Sequence, residues 1–546
     1  MGTGMSSRMA RSESQMSSNT KMSEGGFAEP SEVVHDAVET TPVREPGLLD
    51  SIIQKDAAES GRATGRLQSF LDSPSVGRAL KEWFGTARPQ RQPAIESLNR
   101  AIATIDELVS DQVNEVLHHP RYQKLEASWR GLRYTVDTQS KLISEGDWAR
   151  PPKVVVRVMN MSLNDVKRDF DRASEFDQSN LFRQIYTEEF GTPGGQPYGV
   201  IIADYEFQAW PDKDFPFDGV GILTSLAGIG AAAFCPVITS VGPRFFELDS
   251  FDELERVDLE SVFDPRRNER YLKWRALRES EDARFLGLTM PRVLMRRPWR
   301  DATDSEEGFV FRERVSGADR SRYLWGNAAY SFGEVVMRAY AQSGWLADIR
   351  GVDRGVEGGG LVTGLPTESF STDRKGIAPK ASTEVVITDI QERALGNSGF
   401  LSLCHCYDTE YSAFFSNQSV QKPREYEDFS ASINAKMSGM LQYILCVSQF
   451  ARYVKAIARD KVGSFADAAD CESYLHQWIT DYVTPDSAAR AEVRARRPLR
   501  AASISVRSKA GQPGVYDCEI LLQPHYELDD MSAAIRVQTQ LGTSAE

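Results

Sequence analysis

The chain has 546 residues, 41% of them hydrophobic and 26% charged, with a formal net charge of −14. That length supports roughly two to four domains with real cores, and the acidic balance argues against wholesale binding to nucleic acid or anionic membrane. Six cysteines are too sparse for a disulfide scaffold.

Residues 1–28, rich in Ser, Met and Gly, cannot bury a core. The patch "SEVVHDAVETTPV" (Ser31–Val43) is strand-capable within an otherwise mobile arm, and helical patterning begins at Leu48, Leu49, Ile52 and Ile53. A long amphipathic helix is expected over Ala94–His119. Its stripe is Leu98, Ile102, Ile105, Leu108, Val109, Val113 and Val116, with Pro120 closing it.

"KVVVRVMNMS" (Lys153–Ser162) reads as a strand and the charged "LNDVKRDFDRA" after it as a helix. "YGVIIADYEF" (Tyr198–Phe207) has the continuous apolar run of a buried strand. The uncharged stretch Gly219–Pro243 is long enough to cross a bilayer, but its small residues and Pro236 fit a buried helix followed by a core strand. Residues 300–380 read as irregular and glycine-rich. "STEVVITD" and "GFLSLCHCYD" restore strands, and one long helix is expected over Ile433–Asp460. Strands alternating with helices indicate a mixed α/β class.

Near the C-terminus "ASISVRS" and "VYDCEILLQP" alternate. Ile504 and Val506 fall on one face of the first strand, and Tyr516, Cys518, Ile520 and Leu522 on one face of the second. The loop "KAGQPG" joins them into a hairpin. A hairpin with open edges invites further strands, and the arm could supply one through Val33, Val34, Ala37 and Val38.

Catalytic chemistry is poorly represented. On a strand, Cys404 and Cys406 face one side and His405 the other, so the three cannot converge on one metal ion. The remaining cysteines are isolated, and no HExxH occurs. The glycine-rich stretch lacks the Gly-Lys-Ser/Thr of a nucleotide loop. "RESEDARF" (Arg278–Phe285) fits a salt-bridged helix face better than a carboxylate pair. The basic runs Pro291–Arg300 and Glu492–Arg500 fit solvated faces or a dock for an acidic partner. No catalytic, cofactor-binding or metal-binding residue is assigned.

A set of longer motifs carries a resemblance. They are "HHPRYQKLEASWRGLRY" (His118–Tyr134), "EFGTPGGQPYGVIIADYEF" (Glu189–Phe207), "KWRALRESEDARFLGLTMPRVLMRRPW" (Lys273–Trp299), "LWGNAAYSFG" (Leu324–Gly333), "AFFSNQSVQKP" (Ala413–Pro423), "RDKVGSF" (Arg459–Phe465) and "RRPLRAASISV" (Arg496–Val506). From near Leu48 almost to the C-terminus, the chain resembles the large subunit of the type VI secretion contractile sheath, the TssC/VipB family.

The resemblance implies a multi-domain contractile-sheath fold of mixed α/β class, with an N-terminal arm and a C-terminal hairpin that joins an inter-subunit sheet. The expected regions are an arm at 1–47, a helical region at 48–150, an α/β region at 151–300, an irregular glycine-rich insertion at 301–380 and a C-terminal core domain at 381–546. By position, the shared sheet falls at Ala502–Ser508 and Val515–Pro524, and the arm strand near Glu32–Thr41.

The implied partners are a small sheath subunit (TssB/VipA type), further copies in a helical tube, an inner-tube protein (Hcp type) and a baseplate. A disassembling AAA+ ATPase (ClpV type) is implied as well, acting through the small subunit. The implied place is the bacterial cytoplasm, on a membrane-anchored baseplate, with no enzymatic activity and no cofactor. Two alternatives stay open: a sheath protein of another phage-tail-like contractile injection system, and, more remotely, a soluble metal- or carboxylate-dependent enzyme.

Overall fold

The computed structural model describes residues 72–84, 91–144, 153–192, 194–299, 309, 311–315, 320–352, 357–369, 380–407, 409–460, 468–486, 489–508 and 516–525. The arm residues Val33, Val34, Ala37 and Val38, the helical pattern at Leu48–Ile53 and the hairpin loop lie outside them. Contacts divide the chain into two units, residues 1–98 and 99–546. In the first, the described residues form α1 (Val76–Phe84) and the opening turns of α2 (Arg91–Leu117).

In the second unit α2 ends at Leu117, and Pro120 opens α3 (Pro120–Ser144). That proline sits where a helix tolerates a missing N–H. Helix α4 (Leu163–Arg172) starts on a reciprocal cap, with Ser162 accepting from the Asp165 N–H and the Asp165 carboxylate accepting from the Ser162 N–H. Then come β1 (Ile201–Phe207), α5 (Gly219–Ala233), β2 (Val237–Val241), α6 (Leu272–Glu279) and β3 (Leu286–Met290). Next are α7 (Ala329–Ser343), β4 (Leu361–Val362), α8 (Asp389–Asn397), β5 (Leu401–His405) and β6 (Ser412–Phe414). The C-terminal part carries α9 (Phe429–Ser438), α10 (Leu441–Asp460), α11 (Ala468–Thr480), α12 (Ala491–Arg496), β7 (Leu499–Ser508) and β8 (Tyr516–Pro524).

The central sheet runs β1-β2-β3-β5-β6-β4, parallel from β1 to β5 and antiparallel beyond. Its side chains alternate between two cores. Val237, Val241, Leu286, Leu288 and Cys404 join one with α5, while Ile238, Leu401 and Leu403 join the other with α7. Helix α5 is apolar all round because it lies within the first core. Asp218 caps its start by accepting from the Gly221 N–H at 3.1 Å, and Phe234 ends it in the left-handed region at φ 49°. A third core forms from α10, α11, β7 and Trp345, which stacks on Phe450 with ring centroids 4.2 Å apart.

Several expectations need correcting. Lys153–Ser162 forms no strand: among the described residues it pairs with none. In "STEVVITD" only Thr383 makes a bridge, to Val293, and Thr388 caps α8. The helix expected over Ile433–Asp460 is two, broken at Gly439 and Met440. The stretch 301–380, expected to be irregular, supplies the core helix α7 and the sheet strand β4.

Candidate functional site: the C-terminal hairpin

β7 and β8 pair antiparallel through the register Ala502↔Leu522, Ile504↔Ile520, Val506↔Cys518 and Ser508↔Tyr516. The alternation read from the sequence therefore describes one real face. Ile504 and Val506 are buried in the third core against Cys471 and Leu475 of α11, and Ile520 and Leu522 pack half-buried beside them. Cys518 is exposed at the end of that row. Tyr516 opens β8. The other face is polar apart from Ala501 and Leu521, the latter 70% exposed.

The two outer edges differ. The β7 edge is engaged at both ends. Leu499 donates to the Tyr482 carbonyl at 3.3 Å and accepts from the Thr484 N–H at 2.8 Å. The Val506 N–H donates to Glu472 Oε2 on α11 at 2.8 Å. The β8 edge pairs with no strand among the described residues. Because the Val506 N–H points away from β8, Val506↔Cys518 is a non-hydrogen-bonded pair. The backbone groups of Cys518, Ile520 and Leu522 therefore point outward along the open edge. Beyond β8, the His525 N–H donates to the Pro498 carbonyl at 3.2 Å and Tyr443 Oη donates to the His525 carbonyl at 3.0 Å. The first bond ties the ribbon's end to its start, and the second pins it to α10.

The remaining candidates resolve into packing. Cys404 lies in the first core, and burial pushes its thiol and that of Cys406 up, away from the thiolate a metal would need. His405 follows Cys404 on the strand and so points to the opposite face; burial lowers its pKa. Among the described residues no cluster of His, Cys, Asp and Glu could hold a metal. Likewise, no described helix is long and apolar enough to cross a membrane.

In "RESEDARF" the ion pair is Glu281 with Arg284 at 2.6 Å. Arg278 instead donates to the carbonyls of Val420 and Asn397, and burial lowers its pKa to about 10.

Several charge clusters went unread because their members are far apart in sequence, among them Arg296 with Glu126 and Glu313. Arg292 grips Glu206 with two hydrogen bonds of 2.7 Å and reaches Glu384 at 3.5 Å. Burial pushes the Glu384 carboxyl up to about 7 against the pull of Arg292, and its Oε2 has no hydrogen-bond partner. A further cluster joins Tyr134 of α3 to Glu334 of α7, which also accepts from Arg338 at 3.2 Å. The Arg292 and Glu334 clusters both tie distant elements together.

Comparison with known proteins gives this architecture a family. The model described as EvpB/VC_A0108, tail sheath N-terminal domain, matches residues 99–421. The model for the tail sheath gpW/gp25-like domain matches residues 430–541, which contain the hairpin. The type VI secretion system sheath protein TssC1 of Pseudomonas aeruginosa is 38% identical over 457 residues, spanning 83% of this chain and 87% of its own.

Two solved structures show only partial likeness. The contracted helical sheath of the anti-feeding prophage matches at 10% identity and TM-score 0.30, covering 65% of this chain and 74% of that one. The six-fold symmetrised baseplate of the same particle matches at 10% identity and TM-score 0.32, covering 69% and 81%. The two domain matches in chain order, joined by the long identity to TssC1, are decisive: the chain belongs to the EvpB/VipB tail sheath family and is a large sheath subunit of a type VI secretion system.

Proposed function

We propose that this chain pairs with a small sheath subunit of the TssB/VipA type and that the pairs stack as rings into a helical tube around an Hcp-type inner tube. The tube grows from a baseplate in an extended state, and its contraction drives the inner tube and its cargo out of the cell. A ClpV-type AAA+ ATPase then dismantles it through the small subunit. The chain itself is not catalytic, takes no cofactor, contacts no nucleic acid and works in the bacterial cytoplasm without inserting in the membrane.

The observation that carries this reading is the match to both sheath domains in order. Within the subunit, the open β8 edge supports strand addition from a neighbour. The arm residues Val33, Val34, Ala37 and Val38 are the proposed source of that strand, added in cis or to the next subunit. Strands shared in this way keep subunits connected while rings slide and rotate. The test is export: deleting the gene should stop release of the inner-tube protein into the medium, and the gene restored in trans should recover it. Undiminished release from the deletion strain would contradict the reading.

A further inference from the structure

Five arginines and one glutamate lie between Arg490 and Arg500, in a chain whose net charge is −14. The run covers α12 and the start of β7. Arg490, Arg496, Arg497 and Arg500 are exposed, and Arg494 is half-buried. None of the four exposed arginines forms an ion pair among the described residues. Like charges this close repel until carboxylates reach them from elsewhere.

The end of the ribbon enters this cluster. The His525 N–H donates to the Pro498 carbonyl at 3.2 Å, and Tyr443 Oη donates to the His525 carbonyl at 3.0 Å. Both backbone groups of His525 are therefore fixed beside the arginines. Burial lowers the pKa of its imidazole and Arg494 and Arg500 lower it further, so both guanidinium groups act on the ring. Its Nε2 is enclosed without a hydrogen-bond partner among the described residues. The next five residues in the chain are Tyr526, Glu527, Leu528, Asp529 and Asp530, which carry three carboxylates and no cation.

We infer that Glu527, Asp529 and Asp530 dock on Arg494, Arg497 and Arg500 of the same chain, fastening the C-terminal segment across the base of the ribbon. Five residues reach at most about 17 Å from His525, which confines all three carboxylates to the surroundings of the cluster. A tether this short holds them at an effective concentration in roughly the millimolar range, so they outcompete an acidic partner or a second copy met by diffusion. Arginine suits the task because its planar fork can grip a carboxylate with two parallel hydrogen bonds. Docking neutralises the cluster and sets where residues 531–546 leave the body. The inference concerns the chain by itself and does not depend on the assembly proposed above.

The test is hydrogen–deuterium exchange of the full chain, read by mass spectrometry, in wild type, Arg497→Glu/Arg500→Glu and Glu527→Gln/Asp529→Asn/Asp530→Asn forms. In wild type the amides of residues 526–530 should exchange at least tenfold more slowly than in a free peptide of the same sequence. The arginine double variant should bring them to the free-peptide rate while α10 exchanges as in wild type. The triple variant leaves the body untouched and should lose the same protection after correction for intrinsic rates; it decides the matter alone if the arginine variant loosens α10. Salt at about 1 M, where charges are screened within about 3 Å, should release the wild-type segment as well. Free-peptide rates in wild type, or protection that survives in the triple variant, overturn the inference. Protection that is lost on dilution would assign the carboxylates to a second copy and overturn docking within one chain.

Discussion

Ile504 and Leu521 sit on opposite faces of one two-stranded ribbon, and substituting them should separate folding from assembly. Ile504 belongs to the third core of its own chain, so an aspartate there reports first on folding and cannot serve as a clean probe of an inter-subunit sheet. Ile504→Ala should cost about 2–4 kcal/mol, read as a lower denaturant midpoint for the isolated chain. Leu521→Glu, on the exposed face, should stay within about 0.5 kcal/mol of wild type yet impair sheath growth if neighbours cover that face.

Glu384 gives a second residue-scale prediction. Its carboxyl sits near 7 in the fold rather than at the usual 4.5, because burial raises it more than Arg292 and Arg320 lower it, with Glu206 and Asp252 nearby. The folded chain thus holds a proton that the unfolded chain releases between those values. Its contribution to stability is full below about pH 4.5 and is lost as pH rises to about 7. Glu384→Gln should flatten that part of the stability profile in urea titrations across pH 5–8; an unchanged slope would mean the carboxyl is ionised throughout.

At the scale of elements, α3 meets α7 where a Cβ on Gly131 would lie 2.2 Å from the Tyr330 ring. Gly131→Ala should force the Tyr330 ring aside and destabilise the chain by about 1–3 kcal/mol, seen as a lower melting temperature. This joint also marks what patterning could and could not reveal. Helix α5 and β2 were legible because the uncharged run Gly219–Pro243 calls for burial and Pro236 divides it into helix and strand. The β7–β8 face was legible because period-two alternation fixes which side chains point together.

Lys153–Ser162 misled because β-propensity records fitness for a sheet and cannot supply the neighbouring strand. The break between α9 and α10 is a single Gly439-Met440 step inside an unbroken apolar pattern. Helix α7 was hidden by glycines on either side, although Phe332, Val335, Val336 and Ala339 recur at helical spacing and could have exposed it. The stripe on α2 was legible as a stripe. Its exposure was not, because periodicity names a face without saying what covers it.

At the scale of the whole molecule, the two sheath domains and the open β8 edge fit a subunit that works by adding neighbours. The proposal assigns the arm strand to linkage between neighbouring subunits along the tube and not to pairing with the small subunit. Deleting residues 1–45 should therefore leave pairing with the small subunit intact while preventing long contractile tubes, as judged by co-purification and sedimentation. Normal contraction by the truncated chain would sink the arm linkage and spare the rest.

The most direct test of the central claim is negative-stain electron microscopy of the full chain co-expressed with the small sheath subunit. The account predicts long hollow tubes with a ridged, cogwheel-like cross-section. Small dispersed particles, even when the inner-tube protein and baseplate are supplied, would contradict it.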